Sequence, residues 1–474
     1  MVEGRRIVIL GMGRSGIAAA RLLRRNGLAP TVSEMRPADQ VAEALARLAP
    51  LGIETETGGH SAETLQRADL LVPSPGVSPE REPLRSALKR GVPVVSEIEL
   101  AYSFCRSRIV AVTGSNGKTT TTHLIGALLS AAFAKVEIGG NIGRPFSEFA
   151  DRLTEHDIAV LELSSFQLQL IDRFRAQVAV LLNLTPDHLD RHRDFRSYVR
   201  AKSRLWANQR GEDLLVYNAD DVHVRRAVRN APARTMAFST ARAKRSEAAV
   251  TLKGVPGAAI SGSALRIDDA EREIDLSAWR LPGRHNLANA AAAVAAVQPF
   301  AVPVEIIESA LSRFRPLPHR LELLEPVRGI AFVNDSKATN SDSVRCALES
   351  FDQPILLIAG GLGKEQSYTG LREPVRRRVK GLFLYGESRA KIARDLIPER
   401  AETFADLTCA FRAAVDCASP GDLVMLSPMC ASFDQYADYR ARGDHFKQLV
   451  EQWRRRNAPV ESPFGKVEHD EAER

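Results

Sequence analysis

At 474 residues the chain is too long for one compact core, and about three domains are expected. Its 44% hydrophobic and 26% charged residues are ordinary for a soluble globular protein, which sets aside fibrous, disordered and membrane-spanning classes. The formal charge of +7 is spread along the chain without an aromatic-interleaved basic stripe, so it suits anionic small substrates and argues against a nucleic-acid partner.

The chain opens on "RRIVILGMGRSGIAAARLLRRNG", an apolar strand, a glycine turn and an amphipathic helix. That apolar run is too short for a signal peptide. Gly11, Gly13 and Gly16 fit G-x-G-x-x-G, with Glu34 about twenty residues on, the spacing of a dinucleotide turn. Glycines at such a turn serve any phosphate-bearing ligand, so an oxidoreductase is one reading among several. "VPSPGVSP", with Ser74, Pro75 and Gly76 after a strand, is a candidate second loop on the same ligand.

Near residue 108 the plan recurs as "RIVAVTGSNGKTTTT". The loop resembles G-x-x-x-x-G-K-[ST], but Val112 stands where the first glycine belongs and Gly114 follows two residues later. The working parts remain. Backbone amides and a helix N-terminus can hold phosphate oxygens, Lys118 can neutralise the outer phosphates, and Thr119 can ligate Mg²⁺. Further along, "LELSSFQLQ" sets Glu162 at a strand end, and "NLTPDHLDRH" sets Asp187 and His188 at another, candidates for metal and charge control. The Ala-rich "LANAAAAVAAVQPF" is interrupted by Asn289, Gln298 and Pro299 and reads as a buried helix; no stretch offers eighteen uninterrupted apolar residues.

"RFRPLPHRLE", with Pro316 and Pro318, marks a hinge, and a similar break lies near Phe104–Ser107. From about residue 330, "GIAFVNDSKATN", "QPILLIAGG", "VKGLFLYGE" and "GDLVMLSP" are short apolar strands spaced by helices, the signature of a parallel sheet. The "RRR" clusters at 376–378 and 454–456 read as solvated helix faces. Cys105, Cys346, Cys409, Cys417 and Cys430 form no C-x-x-C pair, which fits a reducing cytoplasm and neither zinc nor a disulfide framework. The fold class expected is α/β, with domains at 1–105, 106–316 and 317–456 and a disordered tail at 457–474.

The shortened loop "TGSNGKTT", with "GGNIG" (139–143), "ELSSFQL" (162–168), "NLTPDHLDRH" (183–192), "LPGRHNLANA" (281–290), "PLPHRLE" (316–322), "NDSKATN" (334–340) and "LSPMCASFDQY" (426–436), resembles the Mur ligases of peptidoglycan synthesis. The blocks keep that family's order from about residue 5 to 453. They are most similar to those of the member that adds D-glutamate to UDP-N-acetylmuramoyl-L-alanine.

The resemblance implies a Rossmann-like UDP-binding domain, a central P-loop ATPase domain and a Rossmann-like domain for the amino acid. The first glycine turn then serves UDP. Arg14, Ser15, Glu34, Ser74 and Gly76 match UDP-facing positions, with Asn141 and Gln167 added from the central domain and Arg36 a further candidate. Gly114, Asn116, Gly117, Lys118, Thr119 and Thr120 match the phosphate loop. Asn286 and Asn289 fall near the adenine, and Arg320 and Asp335 reach the nucleotide. Thr119 and Glu162 correspond to ligands of one Mg²⁺ and His188 to a ligand of a second. Lys202, in "YVRAKSRLW", matches a lysine that the family carbamylates; carbamylation turns a cation into an anionic oxygen donor beside metal. Lys118, His188 and Lys202 are the catalytic set. Thr339, Lys364, Ser432, Phe433 and Tyr439 fall on glutamate-contacting positions, with Lys337 close by. The family often has an acidic residue just before that lysine, whereas Leu362-Gly363 precede Lys364 here.

The implied reaction joins D-glutamate to the alanine carboxylate through an acyl phosphate at the expense of ATP, in a monomeric cytoplasmic enzyme. The same reaction with L-glutamate and a folylpolyglutamate-type ligase are the alternatives, the latter lacking the N-terminal UDP domain. A dehydrogenase would leave the G-K-T-T loop idle, and a nucleic-acid-stimulated ATPase would want a basic stripe.

Overall fold

The computed structural model describes residues 2–188, 191–240, 249–253, 264–267, 272–363, 367–396 and 398–457. Two compact units divide the chain, Met1–Arg315 and Pro316–Arg474. The tail expected to be disordered lies, from residue 458, outside the described residues.

The first unit holds two sheets. The smaller is β1 (Ile7–Leu10), β2 (Thr31–Glu34), β3 (Glu54–Thr57) and β4 (Leu70–Pro73), in the order β3-β2-β1-β4 and parallel throughout. β1 and β4 are buried on both faces, so they read as unbroken apolar runs rather than alternating ones. The helix Arg14–Arg25 turns Ile17, Leu22 and Leu23 inward and leaves its arginines outside.

The larger sheet comprises β5 (Arg108–Thr113), β6 (Val136–Gly140), β7 (Ile158–Glu162), β8 (Val178–Leu181), β9 (Leu214–Asn218), β10 (Arg234–Ser239), β11 (Ala249–Lys253), β12 (Ala264–Ile267) and β13 (Arg272–Asp275). The order is β13-β12-β11-β10-β9-β8-β5-β7-β6. It is parallel as far as β11, and β12 and β13 then add an antiparallel margin. Side-chain alternation divides β5 between two cores. Val110 and Val112 face the helices Lys118–Ser130 and Arg284–Val297, while Ile109 and Ala111 face Phe146, Phe149 and Phe174. Each such valine stabilises the fold by roughly 1.5–3 kcal/mol on burial. The Ala-rich segment is the helix Arg284–Val297, with every residue from Ala290 to Val297 fully buried, as its composition predicts.

The helix Glu97–Tyr102 joins the two sheets. Buried Glu99 accepts backbone N–H bonds from Asp172 (2.8 Å), Arg173 (2.9 Å) and Phe174 (2.9 Å), and Glu97 accepts one from Ser147 (2.6 Å). Arg25 pairs with Asp151 at 2.7 Å. The break read near Phe104–Ser107 therefore lies inside one unit.

The second unit is one sheet of β14 (Glu322–Val327), β15 (Ile330–Asn334), β16 (Ile355–Gly360), β17 (Val379–Tyr385), β18 (Ala401–Thr403) and β19 (Leu423–Met429). The order is β14-β15-β19-β16-β17-β18, parallel except for β14 at one edge. Ile355, Leu357 and Ala359 of β16 enter one core and Leu356 and Ile358 the other, so both faces are covered. Among the described residues no helix is long and apolar enough to cross a membrane.

Candidate active site

In open α/β sheets ligands bind beyond the carboxyl ends of the strands, and the T-G-S-N-G-K-T loop leaves β5 at that end. Gly114 and Gly117 hold φ of 153° and 82°, and a Cβ on Gly117 would stand 2.4 Å from Asn289 Oδ1. The loop therefore needs glycine there for backbone and for space. It is pinned from the neighbouring strand. The amide N–H of Asn116 donates to Asn183 Oδ1 at 2.8 Å, and Asn183 Nδ2 donates back to the Asn116 carbonyl at 3.0 Å. Ser115 Oγ lies 2.9 Å from Tyr198 Oη. The helix Lys118–Ser130 starts at Gly117 with no side-chain cap, so its first N–H groups face the loop.

Five predicted residues converge here. Lys118 Nζ donates to the carbonyls of Gly114 (2.9 Å) and Ser115 (2.7 Å). Thr119 Oγ1 donates to Glu162 Oε2 at 2.7 Å, and Asn141 Nδ2 donates to Glu162 Oε1 at 2.7 Å. Lys202 Nζ also donates to the Gly114 carbonyl, at 2.8 Å, and lies 4.7 Å from the centre of the Tyr198 ring. Lys202 is only 2% exposed, and burial first, the Lys118 charge second, hold its ammonium well below the usual lysine range. Asp187 and Glu162 oppose that shift electrostatically without reversing it. A buried lysine of this kind tends to its neutral, nucleophilic amine.

Asp187 and His188 follow β8. The His188 N–H donates to Asp187 Oδ1 at 2.9 Å, its Nε2 lies 3.5 Å from Asp187 Oδ2, and its backbone is left-handed with φ 54°. Asn286 and Asn289 are buried under the phosphate loop, where Asn289 Oδ1 accepts from Thr121 Oγ1 at 3.2 Å and its Nδ2 donates to Asn286 Oδ1 at 3.2 Å. Thr120 is buried in the first turn of the helix after the loop.

Around the first sheet, Gly16 packs so closely that a Cβ would stand 2.0 Å from the Gly11 carbonyl oxygen. Arg14 and Ser15 open the helix whose N-cap, Gly13, carries no side-chain bond. Arg14 and Arg36 line a cavity of about 280 Å³ with Met12 and Gly13. Glu34 accepts the Met12 N–H at 2.8 Å and pairs with Arg36 at 3.0 Å; the Arg36 guanidinium is the main reason its carboxyl falls to about 2. Ser74 Oγ is buried with no hydrogen-bond partner, and the Gly76 carbonyl accepts from Arg191 Nη2 at 2.8 Å. Gln167 is buried, and its Oε1 accepts from the Ser164 N–H at 3.0 Å in a capping box.

In the second unit, Asp335 follows β15 and is buried. It accepts from Ser427 Oγ at 2.9 Å and from the Leu321 N–H at 3.2 Å, and burial pushes its carboxyl up to about 7, with Arg320 pulling the other way. Lys337 Nζ lies 3.8 Å from the centre of the Tyr439 ring. Ser432 is buried, Phe433 is 69% exposed, and Thr339 is half-buried. Lys364 lies outside the described residues.

Sequence reading missed the supports of these groups. Asn183, Ser115, Tyr198 and Arg191 sit inside or beside quoted blocks but carry no separate signal. Arg442 is fully buried and donates to the carbonyls of Ser336 (2.9 Å), Cys430 (3.1 Å) and Ala431 (3.3 Å), fastening the loops after β15 and β19.

The Mur ligase middle domain matches residues 112–297, the Mur ligase MurD-like N-terminal domain residues 5–96, and the Mur ligase glutamate ligase domain residues 319–430. A UDP-N-acetylmuramoylalanine--D-glutamate ligase of Acidobacterium capsulatum is 43% identical over 95% of this chain and 96% of its own. The protein of the same name from Salinibacter ruber is 44% identical over 95% of this chain and 98% of its own. Among solved structures, the Thermotoga maritima UDP-N-acetylmuramate-alanine ligase MurC shares the fold with a TM-score of 0.60 at 20% identity, covering 95% of this chain and all of that one. On this likeness, which runs through all three sheets, the chain belongs to the Mur ligase family.

Proposed function

We propose that the protein is an ATP-dependent ligase that joins D-glutamate to UDP-N-acetylmuramoyl-L-alanine, a step of peptidoglycan synthesis. One observation carries the reading most directly: Lys118, the Thr119–Glu162 pair and the buried Lys202 surround a single glycine loop beyond β5. Residues 1–105 hold the UDP end of the substrate, 106–316 the ATP, and 317–456 the amino acid.

In the first step an oxygen of the alanine carboxylate attacks the γ-phosphorus of ATP and ADP leaves, giving an acyl phosphate. Loop amides and Lys118 hold the phosphate oxygens in line and neutralise the charge that shifts to the leaving oxygen. The donor set fits Mg²⁺, because Thr119 Oγ1 and a Glu162 oxygen lie 2.7 Å apart beside the loop. Thr119 and Glu162 would hold one ion, and His188 and carbamylated Lys202 a second, supplying positive charge to the phosphates. The neutral Lys202 amine is the form that adds CO₂; it loses a proton and becomes an anionic carbamate. In the second step the glutamate amine attacks the acyl carbon, loses a proton, and phosphate departs from the tetrahedral intermediate.

Arg14, Ser15, Glu34, Ser74, Gly76, Asn141 and Gln167 serve the UDP substrate. Asn286, Asn289, Arg320 and Asp335 serve the nucleotide, and Thr339, Lys364, Ser432, Phe433 and Tyr439 the glutamate. The enzyme works as a cytoplasmic monomer. Phosphate release should require ATP, the UDP-sugar substrate and D-glutamate together. Equal turnover with L-glutamate would contradict the handedness, and release with ATP alone would contradict the ligase.

A further inference from the structure

The second unit carries a cationic cleft at the end of its sheet opposite the loops that bear Ser336, Gly361 and Ser432. Those loops follow the carboxyl ends of β15, β16 and β19, whereas the cleft lies at the amino ends of β16, β17 and β18. Its volume is about 290 Å³. Arg376, Arg377 and Arg378 enter it from the last turn of the helix Arg372–Arg378, Lys380 from β17, and Arg400 from the residue before β18.

These cations are poorly compensated. Among the described residues Asp352 is the one acid lining the cleft, and it reaches Arg378 only at 3.5 Å while itself 67% exposed. Lys380 pairs with Asp422 at 2.6 Å. Among the described residues, Arg376, Arg377 and Arg400 have no carboxylate within ion-pair distance. Arg378 Nε is buried with no hydrogen-bond partner. A helix C-terminus welcomes cations, which accounts for part of the arginine triplet and for its reading as a solvated face. It does not account for Lys380 and Arg400, which the parallel register of β16, β17 and β18 brings in from separate elements. Like charges gathered this way repel one another unless an anion sits among them.

We propose that this cleft is a second anion site, for a ligand carrying more than one phosphate group. Guanidinium forks match phosphate oxygens bidentately, and an anion with more than one phosphate group offsets the positive excess that Asp352 and Asp422 leave among these five cations. The ligand is either a soluble diphosphate-type anion or adjacent phospholipid headgroups, which present the same chemistry. The test uses the full chain in a Lys118→Ala background, which weakens phosphate binding at the glycine loop. Inorganic pyrophosphate is titrated by calorimetry, and sedimentation is followed with phosphatidylglycerol and with phosphatidylcholine vesicles. The variant Arg376→Glu/Arg377→Glu/Arg400→Glu is compared with Arg454→Glu/Arg455→Glu/Arg456→Glu, which changes net charge equally on another helix. The cleft variant should lose roughly tenfold or more in affinity for pyrophosphate, or for phosphatidylglycerol vesicles if headgroups are the ligand, while the control changes little. Loss no greater than the control's, or binding of neither probe at physiological salt, would overturn the site. Circular dichroism of each variant establishes that it is folded.

Discussion

Replacing Glu97 with Gln should make the protein more stable above neutral pH and leave it nearly unchanged in mild acid. Glu97 is 2% exposed at the joint between the two sheets of the first unit; one oxygen accepts the Ser147 N–H at 2.6 Å, and the other is buried with no partner. Burial therefore lifts its carboxyl from 4.5 to about 7. The folded state then binds the proton more tightly than the unfolded chain does. The favourable contribution is complete below 4.5 and is lost as pH rises through about 7. The difference of about two and a half pH units corresponds to about 3 kcal/mol. Gln keeps the acceptor for Ser147 and carries no charge to desolvate, so the variant should gain up to about 3 kcal/mol over the parent at high pH. Urea denaturation of both proteins on either side of neutrality measures it. Parallel pH dependences would show that Glu97 is solvated or paired, and the account of the joint would be wrong. Asp335 shifts the same way but is present in both proteins, so it cancels in the comparison.

The phosphate loop and the first glycine turn yield further tests. Gly16→Ala drives a Cβ into the Gly11 carbonyl, so melting should show a loss of about 1–3 kcal/mol, and calorimetry should show weakened UDP-substrate binding; normal affinity would remove the turn from the ligand site. Lys118→Ala should abolish turnover while UDP-substrate affinity, measured by calorimetry, stays nearly intact; a comparable loss of that affinity would mean the loop is misassigned. Lys202→Ala should be nearly inactive yet regain turnover with acetate, which restores an anionic oxygen, while acetate does nothing for Lys118→Ala. Near-parental turnover of Lys202→Ala in CO₂-depleted buffer would refute the carbamate.

Much of this arrangement is legible in the sequence because it depends on local chemistry. A continuous apolar strand followed by Gly-Ser-Asn-Gly-Lys-Thr has few other uses, and strands covered on both faces read as unbroken Ile-Val-Leu runs. What stayed hidden depends on distant partners. Glu97 and Glu99 in "SEIELAY" look like the wet face of a helix, but the chain near residues 147 and 172–174 returns to bury them. Arg442 looks like any charged helix residue, and only the loops after β15 and β19 explain its burial. β14, β18 and the β12–β13 margin are short or polar, so neither length nor periodicity marks them. The arginine triplet at 376–378 reads as a solvated face until Lys380 and Arg400 arrive beside it.

The alanine carboxylate must become an acyl phosphate before the amine attacks, and the fate of its two oxygens reports whether it does. UDP-N-acetylmuramoyl-L-alanine labelled with ¹⁸O in both carboxylate oxygens is turned over with ATP and D-glutamate, and the released phosphate is analysed by mass spectrometry. Each phosphate should carry a single ¹⁸O from the carboxylate. Unlabelled phosphate, formed at the rate of amide product, would contradict it.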